Sequence, residues 1–333
     1  MVDFTVAICT FNGEKRLTDV LDKLRLCCEY TERSHPGSDK IFWEILVIDN
    51  NSKDNTAKVV QDYQANWPQA YPLKYYFEPK QGLSFARQLA VEEASSSFVG
   101  FLDDDNLPSP NWVTAAYTFG KAHPKAGAYG SKIDGDFEVS PPQNFDKISR
   151  FLAIGGGKKA VCYTSSEYKH SYKKVLPPGA GLVVRKQAWL ESVPKKLFFQ
   201  VVAEDIEALL HIRKNGWEIW YNPEMQLHHR IPKNRLEKEY LMKLMRDIGL
   251  SRYHIRMLGF PAWQRIFVFP AYMANDLKKI IIHFIKHRTV LKTDVVAACE
   301  MEFFIASFIS PFYIGKLYLF KLKNLFKIES TSV

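Results

Sequence analysis

The sequence predicts an α/β fold in which a parallel sheet is covered by helices on both faces. Three observations carry this reading. Over roughly the first 130 residues, short apolar runs alternate with segments of helical periodicity. The connections between them are short, as in βαβ units that build a covered parallel sheet. The polar residues cluster at the carboxyl ends of the expected strands, where such sheets bind ligands.

Phe4, Val6 and Ile8 alternate with Thr5, Ala7 and Cys9, a period of two that predicts the first strand. Residues 14–28 place Leu17, Val20, Leu21, Leu24 and Cys28 at helical spacing. Residues 44–49 form a second strand ending in Asp49. Ser52 and Asp54 are capping residues for a helix over 55–65. A third strand is expected over 73–77. A third helix, opened by Gly82, is expected over 83–94, and a fourth strand over 98–102. That strand runs into Asp103-Asp104-Asp105.

From about Ser131 to Leu176 the pattern loosens. Pro141, Pro142, the Gly155-Gly156-Gly157 triplet and the Lys158-Lys159 pair predict a mobile loop region. A turn at 177–181 precedes a short strand over 182–184. A helix over 204–214 ends at Asn215-Gly216, and a further strand covers 217–221.

Composition bounds the function. The 333 residues carry 45 Lys and Arg against 36 Asp and Glu, a formal charge of +9, and 47% are hydrophobic. That apolar content excludes general disorder. Five scattered cysteines, Cys9, Cys27, Cys28, Cys162 and Cys299, do not make a disulfide framework and read as thiols in a reducing compartment. Asp3 stands where the basic region of a signal peptide would be, so the catalytic body is expected in the cytoplasm. The positive balance suggests an anionic partner.

Asp103-Asp104-Asp105 is the sharpest feature. Adjacent carboxylates repel one another, and a divalent cation with substrate phosphates relieves that repulsion. The alternative is a solvated acidic turn or a helix cap. Asp49 holds the matching position one βαβ unit earlier, as a ribose or base acceptor or simply as a turn residue. Arg87 lies one turn into the helix opened by Gly82, where it can meet a diphosphate or lie on the surface. No Gly-x-Gly-x-x-Gly, Walker, His-Glu-x-x-His or Cys-x-x-Cys motif is present. A dehydrogenase, a P-loop kinase and a zinc hydrolase are therefore disfavoured.

Taken together, Thr10-Phe11-Asn12, the 48–54 segment, the 82–87 segment and Leu102-Asp103-Asp104-Asp105 resemble family 2 glycosyltransferases of the GT-A fold, in order and in spacing. The resemblance covers roughly residues 1–235. It implies a Rossmann-like mixed sheet flanked by helices. It also implies an inverting, hexosyltransferase-type enzyme that uses Mn2+ or Mg2+ and a nucleotide-sugar donor, commonly a UDP-sugar. By the same resemblance, Asp49 contacts the base, with Thr10 and Asn12 lining that pocket. Arg87, Asp103 and Asp104 contact the donor, Asp105 holds the metal and Asp205 is the catalytic base. The alternative for Glu204-Asp205 is an acid pair favoured by a helix N-terminus. His228, in His228-His229-Arg230, is a candidate further metal ligand, though a partly buried structural histidine is the commoner outcome. Two mild departures from the family pattern are Asn50-Asn51 after Asp49 and Gln88 after Ala86-Arg87.

Residues 1–235 are expected to be the catalytic domain and 236–333 a helical region. From Pro261 onward there are ten cations and five anions among many Phe, Ile, Leu and Tyr residues. Glu300, Glu302 and Pro311 interrupt the most apolar stretch, so amphipathic helices on the inner face of the cell membrane are expected, with a packed subdomain or a homodimer face as alternatives. The expected acceptor is a glycan or lipid-linked sugar in polysaccharide or cell-surface glycan synthesis. Nucleic acid is not expected, because the cations gather in the apolar tail. Two other functions compete: a nucleotidyltransferase consuming an NTP and a sugar phosphate, and a non-enzymatic basic binder of anionic lipid or nucleic acid.

Overall fold

The computed structural model describes residues 1–165 and 176–330. The chain divides into two compact units, one of residues 1–138 and 152–231, the other of residues 139–151 and 232–333.

The first unit is built on one mixed sheet. Its strands are β1 (Phe4–Thr10), β2 (Trp43–Asp49), β3 (Leu73–Phe77), β4 (Phe98–Asp103), β5 (Asn106–Pro108), β6 (Ala126–Phe137), β7 (Val161–Cys162), β8 (Val183–Arg185) and β9 (Glu218–Ile231). The order is β3-β2-β1-β4-β8-β6-β9-β5, with β7 also on β9. Strands β3, β2, β1 and β4 are parallel, as the sequence predicts. β8 runs antiparallel to both β4 and β6, and β6 is parallel to β9. A mixed sheet flanked by helices is the architecture that the family resemblance implies.

Every residue of β1 and β2 is buried, which explains why both read as nearly continuous apolar runs. The helices α1 (Leu17–Ser34), α2 (Thr56–Gln64), α3 (Leu83–Glu93), α4 (Trp112–Ala122), α5 (Lys186–Ser192) and α6 (Glu204–Lys214) flank the sheet. In α1 the buried residues Leu17, Val20, Leu21, Leu24, Cys28 and Thr31 form one stripe, and each large apolar side chain removed from water contributes roughly 1.5–3 kcal/mol. One core cluster gathers Phe4, Trp43, Tyr71 and Trp112. The second gathers Phe101, Trp189 and Leu209.

Three sequence expectations change. The first helix continues to Ser34, six residues past Cys28. The last strand runs on to Ile231, because Met225, Leu227, His229 and Ile231 keep turning inward. Residues 131–137 belong to β6 rather than to a loop. Part of the expected loop region, residues 166–175, lies outside the described residues.

The second unit contains α7 (Lys238–Leu258), α8 (Ala262–His287) and α9 (Val295–Ser330). α8 continues through Pro270 and α9 through Pro311. Gly249 lets α7 approach α9: a Cβ there would lie 2.5 Å from that of Ala306. A buried polar cluster sits among the apolar residues of this unit. Arg256 donates from Nη1 and Nη2 to Asp276, the latter at 2.9 Å, and Ser307 Oγ donates to the same carboxylate at 2.9 Å. Residues 295–319 are long and apolar enough to cross a membrane, and less than half of their most apolar stretch is buried.

Candidate active site

The sheet register brings the polar strand ends together. Thr10 pairs with Asp49 across β1–β2, and Cys9 pairs with Asp103 across β1–β4. These residues thus occupy neighbouring positions at one edge of the parallel half.

A buried charge network joins this edge to α6. Arg87 of α3 is 3% exposed. Its Nη1 donates to Glu204 Oε1 at 2.7 Å, and its Nη2 lies 3.6 Å from Asp103 Oδ1. The guanidinium also lies over the Phe101 ring, 5.4 Å from its centroid. Burial pulls Arg87 down, but Glu204, Asp103 and Asp205 outweigh it and hold the guanidinium above its ordinary range. Burial raises the Glu204 carboxyl against the pull of Arg87, with Asp205 adding to the shift. The Asp103 carboxyl is raised by burial and by its neighbours Asp105 and Asp104, against the pull of Arg87. The Cys9 thiol is pushed up to about 12 by burial.

Asp205 follows Glu204 and is half-buried. Its Oδ2 accepts the Gly179 N–H at 2.6 Å and its Oδ1 accepts the Ile206 N–H at 2.7 Å. Gly179 is required by space: a Cβ there would come within 2.4 Å of both Arg87 Nη atoms. The turn at 177–181 is therefore clamped between Arg87 and Asp205. Ala203, just before the pair, has φ of +64°, a conformation unfavourable for a residue with a Cβ. Gln200 fixes the segment leading to it, accepting from Ser84 Oγ at 2.7 Å through its side chain and from Ser84 N–H through its carbonyl.

The three aspartates separate into different environments. Asp104 accepts from Arg16 Nε at 2.8 Å and Nη2 at 2.9 Å, and from Thr10 Oγ1 at 2.6 Å. These contacts tie β1 to the end of β4. Gly13 fits only without a side chain, since a Cβ would lie 2.0 Å from Thr10 Oγ1. Asp105 Oδ1 accepts from Asn106 Nδ2 at 3.0 Å, and its Oδ2 lies 3.5 Å from His229 Nε2. His229 Nδ1 lies 2.9 Å from the Leu152 carbonyl oxygen. His228, the expected ligand of the tripeptide, is exposed, because β9 alternates and it is His229 that pairs with Asn106 and turns inward. Arg230, the other residue of that tripeptide, pairs with Asp19.

The Asp49 side is a network of its own. Asp49 Oδ2 accepts from Tyr75 Oη at 2.7 Å and its Oδ1 from Ser52 N–H at 2.8 Å. Ser52 Oγ in turn accepts from Asn12 N–H, and Asn12 Oδ1 accepts from Lys53 N–H, both at 2.9 Å. Asn12 and Asn51 have φ of +51° and +67°, which asparagine tolerates better than most side chains. Asn50 was not singled out as a site residue by sequence reasoning. Its Oδ1 accepts the Gly82 N–H at 2.8 Å and its Nδ2 donates to the Lys80 carbonyl at 2.6 Å, so it anchors the start of α3. The residues sequence reasoning missed are therefore Arg16, Asn50 and His229. The tripeptide around His229 and the Asn50-Asn51 departure after Asp49 carried readable signals, whereas Arg16 carried none.

Asp105, His229 and Asp103 are the groups that could hold a cation. Among the described residues, no three His, Cys, Asp or Glu side chains gather as a ready-made cage. Mg2+ in such sites commonly takes one or two carboxylates and completes its shell with substrate phosphates and water. The crowded Asp103 and Asp105 charges, which raise the Asp103 carboxyl, fit that donor set.

Residues 5–175 match the model of Glycosyl transferase family 2. The chain is 37% identical over 102 residues to a dolichyl-phosphate beta-glucosyltransferase of Trichomonas vaginalis, a match covering 30% of this chain and 28% of that protein. It is 24% identical over 219 residues to succinoglycan biosynthesis protein ExoM of Rhizobium meliloti, covering 65% of each. Both matches span less than two thirds of the relative's length. Among solved structures it is similar to the mannosyltransferase PcManGT from Pyrobaculum calidifontis in complex with GDP-Man and Mn2+. That likeness has a TM-score of 0.57 at 16% identity and covers 92% of this chain and 85% of that one, a similarity of fold. On the extent of the family match and the architecture that accompanies it, the chain belongs to glycosyl transferase family 2.

Proposed function

We propose that the chain is an inverting, hexosyltransferase-type glycosyltransferase. In this reading it moves a sugar from a nucleotide-diphosphate donor, with UDP as the expected nucleotide, to a glycan or lipid-linked acceptor. Residues 1–235 form the catalytic domain, which works on the inner face of the cell membrane. The observation that carries the reading is the Gly179–Asp205 and Glu204–Arg87–Asp103 network, which ties a half-buried carboxylate to the carboxyl edge of the sheet.

Asp205 acts as general base. It takes the acceptor hydroxyl proton while that oxygen attacks the anomeric carbon and the bond from that carbon to the diphosphate oxygen breaks. The Gly179 N–H orients the carboxylate, and Arg87 holds Glu204 and Asp103 in place around it. Asp49 retains lone pairs for a base N–H beside those given to Ser52 and Tyr75. Asn12 shapes the same loop. Thr10 and Asp104 line the donor side of the site and, through their mutual hydrogen bond, hold β1 against β4. Asp105 and His229, with Asp103 beside them, would hold Mn2+ or Mg2+, and such a cation neutralises charge on a departing diphosphate.

The test is a donor panel. UDP-, GDP-, CMP- and dTDP-sugars are titrated with and without Mn2+, read by thermal shift and by release of free nucleotide. The expected result is metal-dependent stabilisation and turnover with one nucleotide class. Turnover of an NTP with pyrophosphate release would overturn the assignment in favour of nucleotidyl transfer.

A further inference from the structure

The helix α8 exposes large apolar side chains that a helix packed in a water-soluble protein would bury. Its buried residues are Asp276 and His283. Asp276 is held by Arg256 and Ser307, and His283 Nε2 lies 2.9 Å from the Ala297 carbonyl oxygen. Among its exposed residues are Trp263, Ile266, Phe267, Ile281, Phe284 and Ile285, each between 50 and 73% exposed. At 3.6 residues per turn these six lie on one stripe, because Trp263 and Ile281 are separated by five turns. Large apolar surface of this kind marks an interaction site.

The flanking charge says what covers it. Lys278, Lys286, Arg288 and Lys292 are exposed. The acids in the same stretch are Asp276, which is buried, and Asp294, whose Oδ1 accepts the Ala297 N–H. A second copy of the chain would bring the same cations across a symmetric interface, and like charges there oppose association. Anionic lipid headgroups above an apolar layer match both the stripe and its cations.

We infer that α8 lies flat on an anionic bilayer surface, with the Trp263–Ile285 stripe in the interfacial layer and its cations at the headgroups. The inference rests on the membrane location proposed above and adds the helix, the face and the lipid class. A nearby membrane would also hold a lipid-linked acceptor in two dimensions.

The full chain is to be sedimented with vesicles of phosphatidylcholine alone and of phosphatidylcholine mixed with phosphatidylglycerol, at low and high salt. The expected result is binding to the mixed vesicles that weakens with salt. The variant Ile266→Ser/Phe267→Ser/Ile285→Ser should bind roughly tenfold or more weakly, since three apolar side chains no longer enter the layer. Lys278→Glu/Lys286→Glu should remove the preference for anionic lipid. A control, Leu190→Ser in α5, should bind like the parent. Melting curves check that each variant is folded, and brominated lipid should quench the parent more than Trp263→Phe. If the parent binds and the α8 variants bind equally well, the face is wrong while the membrane location stands. If the parent ignores all vesicles, or runs as a dimer that the α8 triple variant makes monomeric, both the face and the location fail. Donor turnover measured without vesicles is independent of either outcome.

Discussion

Arg87 and Glu204, 117 positions apart in sequence, form a 2.7 Å hydrogen-bonded ion pair that is all but excluded from solvent. Removing one partner leaves the other charged or forces it neutral, and breaking such a pair typically destabilises by roughly 3–5 kcal/mol. Arg87→Ala is expected to lower stability by about that amount, read by urea denaturation. Arg87→Ala/Glu204→Ala should recover part of the loss. A double variant that is worse by the full sum of the singles would mean that the pair is not coupled.

Asp205→Asn keeps size and shape but cannot take a proton. It is expected to melt within a few degrees of the parent and to bind donor normally, with kcat lower by ~10²–10⁴-fold. Unchanged kcat in steady-state transfer assays would remove Asp205 from the base role.

Gly179→Ala places a Cβ 2.4 Å from the Arg87 guanidinium nitrogens. Arg87 must then move or the turn must open. We expect a loss of roughly 1–3 kcal/mol in stability and a clear fall in kcat, because the N–H that orients Asp205 shifts with it. Calorimetry and kinetics on the same preparation check both.

His229→Ala and His228→Ala should behave differently although the residues are adjacent. His229 lies 3.5 Å from Asp105, and His228 is exposed. Loss of the inward ring is expected to raise the Mn2+ concentration needed for half-maximal turnover by roughly 10–100-fold. Loss of the outward one should leave it unchanged. The reverse pattern in metal titrations would place the cation elsewhere.

Glu44 supplies a pH prediction. Its carboxylate is buried in β2 and accepts from Lys74 Nζ at 2.7 Å, Ser95 N–H at 2.7 Å and Thr5 Oγ1 at 2.9 Å. Burial raises its pKa, but these partners outweigh burial and the net shift is downward from 4.5. A depressed folded pKa means that the stabilisation is complete above about 4.5 and is lost as pH falls through the lower folded value. Glu44→Gln should reduce that acid-side slope and lower stability near neutrality by about 1–2 kcal/mol, a range discounted because Lys74 is partly exposed. Denaturation midpoints across pH 2–7 would test both effects, the range being set about the carboxylate region.

The sequence by itself determined the parallel half of the sheet and the acids at its edge. Period-two runs such as Phe4–Thr10 and the helical stripe from Leu17 are local patterns, and a strand that is buried on both faces announces itself by composition. The motif order was also enough to indicate the family. Tertiary structure decided the rest. Whether Asp104 meets a ligand or Arg16, and whether His228 or His229 turns toward Asp105, depends on side-chain direction and on partners far away in the chain. The orientation of α8 was beyond periodicity as well. A helical wheel shows that one face is apolar, but only the placement of Asp276 against Arg256 and Ser307 turns that face outward. Local patterns report what each segment could bury, while long-range contacts choose what it does bury.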